Sequence, residues 1–366
     1  MRKSEKKIKI NSKNEKMKRL FKRYCEGPKG SSEKTIGFYL NAICLYEKFT
    51  EYECFSKFND DQAVKFRESL INCENKKALS TVYDYLRYLK IFFTWLSTQT
   101  GFKKAIKNEH VEYLRLSRQQ TEMALTPQRE RYPSLEIVQK VVHSMPANTV
   151  LELRDRAIIS FTLLSGMRDK AIITLPLKCF DPQSYEVYHD VKSGVKSKFS
   201  KTHQTYLFQF DEKMINYILD WYNYLIKDEL YTPSDPFFPR NKVEQSEFSK
   251  SFVSNSIEPK FWQTTSSITE IFKQRFEQAG MEYYSPHTFR HLANNLTKKA
   301  CSSMEEFQAV SQNFGHQNIG TTFSSYGRLP ANQVKEAIQS LDFSGKKKKI
   351  NVTMSKLEKL LEIIED

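Results

Sequence analysis

The sequence predicts a mainly α-helical protein of two domains that carries a small antiparallel β-sheet. Three observations support this. The chain has 366 residues, too many for one small core and suited to two domains with room for tails. Apolar residues recur at helical spacing in two blocks separated by a polar run. Only EVYHDVKSGVKSKFSKTHQTYLFQF turns to β-branched and aromatic residues around a Gly, Ser and Lys turn, as in a hairpin or small sheet.

Residues 1–30 hold 12 Lys/Arg and 3 Glu. They read as a basic arm lying on phosphates, or equally as a solvated tail or weakly structured helix. Next, Ile36, Tyr39, Leu40, Ile43 and Cys44 follow the capping candidates Ser31 and Ser32, and Val82, Tyr85, Leu86, Leu89, Phe92, Phe93 and Leu96 follow Ser80. Between them NDDQAVKFRESLI, with Asp60 or Asp61 as cap, carries another helix. Helices of this length make a bundle over residues 31–115. RLSRQQTEMALTPQRERYP is polar and basic, with two prolines and no periodicity, so residues 116–133 are expected to link the domains, because an unstructured run of that length is uncommon inside one.

The second domain is expected over 134–335. SLEIVQKVVHSM and LRDRAIISFTLLSG read as helices, the latter closed by Gly166, and the hairpin stretch follows. MINYILDWYNYLI returns to helix, residues 229–263 look loop-like, and ITEIFKQRFEQAG is a helix stopped by Gly280. Helices with turns continue to Pro330. Residues 336–366 comprise the basic GKKKK segment and a helix with Met354, Leu357, Leu360, Leu361 and Ile364 on one face.

Composition narrows the function. Hydrophobic residues make up 39% and aromatic residues 13%, enough to bury real cores. No apolar run of membrane-spanning length and no signal-peptide pattern appears, so a soluble, unexported, cytoplasmic protein without a membrane partner is expected, nucleoid-associated in a bacterium. Six cysteines without a Cys-x-x-Cys pair argue against a zinc ribbon and a disulfide framework. A net charge of +14 and a pI near 9.3 favour a polyanion, most commonly nucleic acid.

Four features then occur in one order. Arg168 lies in LLSGMRDKAIITL, where one helix ends and another begins. The hairpin stretch supplies Lys192, Lys196, Lys198 and Lys201. SPHTFRHLANNL places His287 and Arg290 three apart, on one face of a helix. GHQNIGTTFSSYG carries His316 and, ten residues on, Tyr326. These residue types suit a metal-free attack on a phosphodiester. A tyrosine oxygen has an ordinary pKa near 10 and needs proton acceptors and positive charge nearby. Two guanidinium forks can hold the non-bridging oxygens, and a lysine can protonate the departing 5′-oxygen. His287 and His291, four apart, could instead be read as a metal pair, but Thr288 stands where a metalloprotease helix carries Glu and no acidic third ligand stands out. No cofactor and no metal are expected.

The ordered set resembles the tyrosine recombinase (phage integrase) family over residues 134–330. Residues 31–115 match only as a helical core-binding domain. The resemblance implies an α-helical N-terminal core-binding domain followed by a mixed α+β catalytic domain. It implies that Tyr326 becomes joined to a 3′-phosphate, that Arg168 and Arg290 clamp the scissile phosphate, and that His287 and His316 hydrogen-bond it or help move protons. The bond energy kept in the phosphotyrosine would make ATP unnecessary. KFSKTHQTYLF is similar to the family's Lys-x-x-Lys-x-Arg hairpin, which makes Lys198 the first candidate for the acid and Lys201 the second, with His203 in the arginine's place. Tyr326 follows His316 by ten residues where many members have nine.

The implied function is a site-specific recombinase or integrase of a mobile genetic element. Its implied partners are double-stranded DNA attachment sites, three further copies of itself in a homotetramer on two sites (a monomer off DNA), and accessory DNA-bending or directionality factors. The C-terminal helix would dock in cis or on a neighbouring protomer. The alternatives are a type IB topoisomerase-like nicking-closing enzyme and a catalytically degenerate DNA-binding protein.

Overall fold

The structure, a computed structural model, describes residues 10–72, 77–126, 131–196, 202–245, 252–301 and 303–315. The chain is mainly helical with small antiparallel sheets, and it divides into two units, Met1–Gln128 and Arg129–Asp366.

The first unit contains α1 (Ser12–Glu26), α2 (Glu33–Phe49), α3 (Asp60–Ile71), α4 (Leu79–Leu96), α5 (Asn108–Val111) and α6 (Arg118–Leu125). Its core is strongly aromatic. Helix α4 buries Val82, Leu86, Leu89, Phe92, Phe93 and Leu96, α2 answers with Ile36, Tyr39, Ile43 and Tyr46, and Phe58 stacks on Phe93 at 3.9 Å between ring centroids. Helix α3 is capped by Asn59 rather than by the aspartates that follow it, because the Asn59 side chain accepts from the Gln62 N–H.

Two expectations for this unit are corrected. Part of the basic segment 1–30 is not an arm or tail: α1 buries Met17, Phe21 and Cys25 in the core, and Phe21 meets Phe92 edge-on at 5.2 Å. These residues are spaced four apart on one face, and burying each such side chain is worth about 1.5–3 kcal/mol. The lysines around them hide that stripe in any count of charge. Lys18 also reaches inward, its Nζ 2.5 Å from the buried Glu47 carboxylate, which accepts in addition from Asn14 Nδ2. The run 116–133 is likewise not unstructured throughout. It holds α6, opened by a capping box in which Ser117 and Gln120 satisfy each other's backbone N–H groups, and α6 packs on α4.

The second unit runs α7 (Leu135–Ser144), α8 (Val150–Ser165), α9 (Asp169–Ile172), β1 (Phe180–Asp181), β2 (Glu186–His189), β3 (His203–Tyr206), α10 (Glu212–Lys227), β4 (Arg240–Gln245), β5 (Phe252–Glu258), α11 (Ser266–Gln278), α12 (Pro286–Ala300) and α13 (Met304–Asn313). Helix α8 is its axis, almost wholly buried from Ala157 to Ser165 and packed by α7, α10, α11 and α12. Strands β1, β2 and β3 form an antiparallel sheet in that order, with Val187 opposite Thr205 and His189 opposite His203. The loop expected over 229–263 is corrected: β4 and β5 pair as a second antiparallel hairpin there, and β5 packs on α8. The serines and prolines around these strands obscure their alternation. No helix among the described residues is long and apolar enough to cross a membrane. The proposed C-terminal amphipathic helix lies outside the described residues.

Candidate active site

Helix α8 ends at Gly166, whose φ of +56° is left-handed, a conformation that glycine adopts at little cost. A side chain there would also run into the Phe314 ring. The chain then turns through Met167 and places Arg168 at the N-cap of α9. Arg290, in the second turn of α12, points back across this junction. Its Nη1 donates to the Gly166 carbonyl at 2.6 Å and its Nη2 to the Phe314 carbonyl at 2.7 Å, while its guanidinium lies 4.9 Å over the Phe314 ring. One side chain thus ties the end of α8 to the segment leaving α13.

Arg168 and Arg290 line one cavity together with Ser165, His189, His203 and Thr205. Arg290 is 9% exposed. Burial first, and then the neighbouring Arg168 charge, pushes its guanidinium down to about 9. It remains cationic at neutral pH. Burial also lowers Arg168. Among the described residues no carboxylate and no hydrogen-bond acceptor meets the Arg168 guanidinium. Two cations held this close, one of them without a counter-charge, make a site for an anion with several acceptor oxygens.

The other wall comes from the β2–β3 pair. Strand alternation turns Val187 and His189 of β2 inward, with Thr205 of β3 on the same face. His189 is 3% exposed and stacks on His203 at 3.8 Å between ring centroids. Burial, then His203, Arg290 and Arg168, pushes His189 down to about 3, so it is neutral at any working pH. Its tautomer follows from its partners. Thr205 Oγ1 has a single proton, which it donates to the Asn313 carbonyl at 2.9 Å. The contact between His189 Nε2 and Thr205 Oγ1, 3.0 Å long, must therefore carry its proton on the histidine. Nδ1 keeps a lone pair, is buried, and has no hydrogen-bond partner among the described residues.

Of the residues singled out in the sequence, the fold brings Arg168 and Arg290 together. His287 shares the first half of α12 with Arg290 but is exposed and does not line the cavity. Its ring stands 5.0 Å from that of His291, and among the described residues no group of three or more His, Cys, Asp or Glu is placed to hold a metal ion. Lys192 and Lys196 are exposed at the start of the β2–β3 connection, where the Lys196 N–H donates to Thr174 Oγ1 at 2.9 Å. Lys198, Lys201, His316 and Tyr326 lie outside the described residues. His203 joins the arginine cavity, although from sequence it is only the residue in the arginine's place. His189 and Asn313 were missed. For His189 the available signal was its inward parity with Val187 on a strand flanking the lysine-rich turn.

No curated protein sequence matches the chain. Its fold is similar to that of XerH site-specific recombinase bound to a palindromic difH substrate in a post-cleavage complex, at 16% identity, 88% of this chain and 84% of that one covered, and a TM-score of 0.58. It is similar to a lambda integrase dimer bound to a COC′ core site, at 12% identity, 93% and 80% covered, and a TM-score of 0.56. It is also similar to the Tn1549 transposon integrase in complex with a circular intermediate DNA, at 12% identity, 89% and 99% covered, and a TM-score of 0.57. At these identities the likeness is one of fold. The sequence itself matches the phage integrase family over residues 136–333, more than half of the 366. The chain belongs to the phage integrase family, the tyrosine-type site-specific recombinases.

Proposed function

We propose that this recombinase cuts and rejoins duplex DNA at the attachment sites of a mobile element through a 3′-phosphotyrosyl intermediate on Tyr326. The observation that carries this reading is the pairing of Arg168 and Arg290 in one cavity, with no acidic group on Arg168 among the described residues. A scissile phosphate seated there would meet guanidinium donors on its non-bridging oxygens, where charge gathers as the phosphorus becomes five-coordinate. The Tyr326 oxygen attacks phosphorus as its proton passes to His287, His316 or water, the bond to the 5′-oxygen breaks, and that oxygen takes a proton from Lys198, or from Lys201 if the turn presents it instead. His287 and His316 hydrogen-bond the phosphate or carry protons. One phosphate ester is exchanged for another, so the step needs neither nucleotide hydrolysis nor a metal.

The helical bundle of the first unit serves as the core-binding domain, and its basic surface together with that of the second unit meets backbone phosphates. Two relatives of the same fold are a dimer on a core site and a transposon integrase on a circular intermediate. We extend this to four protomers on two sites, with accessory bending or directionality factors, acting on DNA in the cytoplasm. The C-terminal helix docks in cis or on a neighbouring protomer.

The test is capture of the covalent adduct. Cells carrying the gene with its flanking DNA are lysed in denaturant, the protein is purified, and the attached DNA ends are sequenced. Wild type should yield one defined junction, and in vitro the same duplex should be cut in excess EDTA. Tyr326→Phe should bind that duplex and form no adduct; an adduct on the variant would assign the nucleophile elsewhere.

A further inference from the structure

The geometry points to Asn313 as a positioning residue of the active site, acting through His316. Strand β3 is an edge of its sheet, so the N–H and C=O of Tyr206 that face away from β2 have no strand to meet. Asn313, the last residue of α13, supplies both partners at once. Its Oδ1 accepts from the Tyr206 N–H at 2.7 Å, and its Nδ2 donates to the Tyr206 carbonyl at 3.0 Å. A side-chain amide is well suited to this, because it carries one acceptor and a donor side by side.

The main chain of the same residue closes a third contact. The last carbonyls of a helix lack intrahelical donors, and the Asn313 carbonyl takes the Thr205 hydroxyl proton instead. Three hydrogen bonds from two successive β3 residues thus converge on one residue of α13.

The consequence lies immediately downstream. Phe314 gives its carbonyl to Arg290 and packs its ring on Phe208, with ring centroids 5.3 Å apart. Gly315, at φ +64°, lies so close to the His203 ring that a Cβ there would be 2.6 Å from Nε2. His316 is the next residue in the chain. The main chain that leads into it is the one that Asn313 holds to β3, and β3 is the strand that leaves the lysine-rich turn. Removing the Asn313 side chain leaves the charges of the cavity untouched but loosens the anchor of the Gly-His pair.

This inference rests on the proposed role of His316 at the phosphate. The test is single-turnover cleavage, at saturating protein, of the duplex recovered from the covalent adducts, with DNA affinity measured separately on the same full-length proteins. Asn313→Ala should slow adduct formation between about tenfold and a hundredfold, the cost of a misplacement near 1 Å, while the DNA dissociation constant stays within about threefold. The double variant Asn313→Ala/His316→Ala should be no slower than His316→Ala alone, because residues acting as one unit are not additive. Multiplying effects, or a wild-type rate for Asn313→Ala, would overturn the assignment. A wild-type rate for His316→Ala would instead remove His316 from the proposed mechanism, and this inference with it.

The Tyr206 amide gives an independent readout, since its exchange with solvent deuterium should be slow in wild type and fast in Asn313→Ala. Equal protection in both would mean that the clamp does not form in solution. If Asn313→Ala does not fold, the Thr205 pair decides. Thr205→Val should be slow and non-additive with His316→Ala, and Thr205→Ser should restore the rate. A wild-type rate for Thr205→Val would overturn the inference.

Discussion

Two pairs of neighbouring arginines among the described residues of the second unit, one fully buried and one partly, are built on opposite principles. Arg154 and Arg275 share Asp155, which is 3% exposed. Arg154 donates to its Oδ1 at 2.8 and 3.1 Å, and Arg275 to its Oδ2 at 2.7 and 2.9 Å. Remaining donors of Arg154 go to the Pro239 carbonyl and to Asn241 Oδ1, and one of Arg275 goes to Gln278 Oε1. That network is closed and joins α8, the β4 hairpin and α11. In the pair of Arg168 and Arg290 no described carboxylate meets Arg168, and Arg290 donates to two backbone carbonyls. The first pair leaves nothing for a ligand to do. In the second, charge is held in readiness for one, which is how the same residue type serves structure in one place and chemistry in another.

The contrast can be broken most severely at Asp155. Asp155→Ala would leave two guanidiniums buried without their counter-ion, and denaturant unfolding should show a loss of about 3–5 kcal/mol. Protein that remains folded should cleave at the wild-type rate. Unchanged stability would mean that the closed network contributes nothing.

Arg168→Ala should do the reverse. Cleavage should fall by about 10²–10³, as for loss of one donor to a developing charge, while thermal stability stays level or rises, because Arg290 loses a repelling neighbour. A variant that loses stability and keeps its activity would exchange the roles of the two pairs.

The smallest effect is one of pH. The folded His189 lies near 3 because of burial, His203 and the two arginines, whereas an unfolded histidine titrates near 6.5. Its contribution to stability is therefore fully present above about pH 6.5 and is lost as pH falls towards 3, where the unfolded chain takes up a proton that the folded chain refuses. The slope for that proton is about 1.4 kcal/mol per pH unit. Comparing urea midpoints of wild type and His189→Gln between these limits should show a flatter profile in the variant. Parallel profiles would mean that His189 is not held neutral.

What the sequence determined by itself is local. Helical spacing placed α2, α4, α7, α8, α10 and α11, because a 3.6-residue period of apolar side chains is visible without knowing what covers it. The hairpin around the lysines showed in its composition. Arg168 and Arg290 could be named because each sits at a punctuated position, one beside a helix-ending glycine and the other on a helix that begins at Pro286.

The tertiary structure decided the rest. Lysines masked the buried face of α1, and polar residues masked α6 and the β4–β5 hairpin; for α1 and α6, packing against α4 shows what their surroundings in sequence do not. Whether an arginine is neutralised or left open depends on a partner 120 positions away for Arg275 and Asp155, and 124 for Arg290 and Gly166. Strand parity could have pointed to His189, but its burial beside the arginines, and the role of Asn313 at the edge that β3 leaves open, come into being only when distant segments meet.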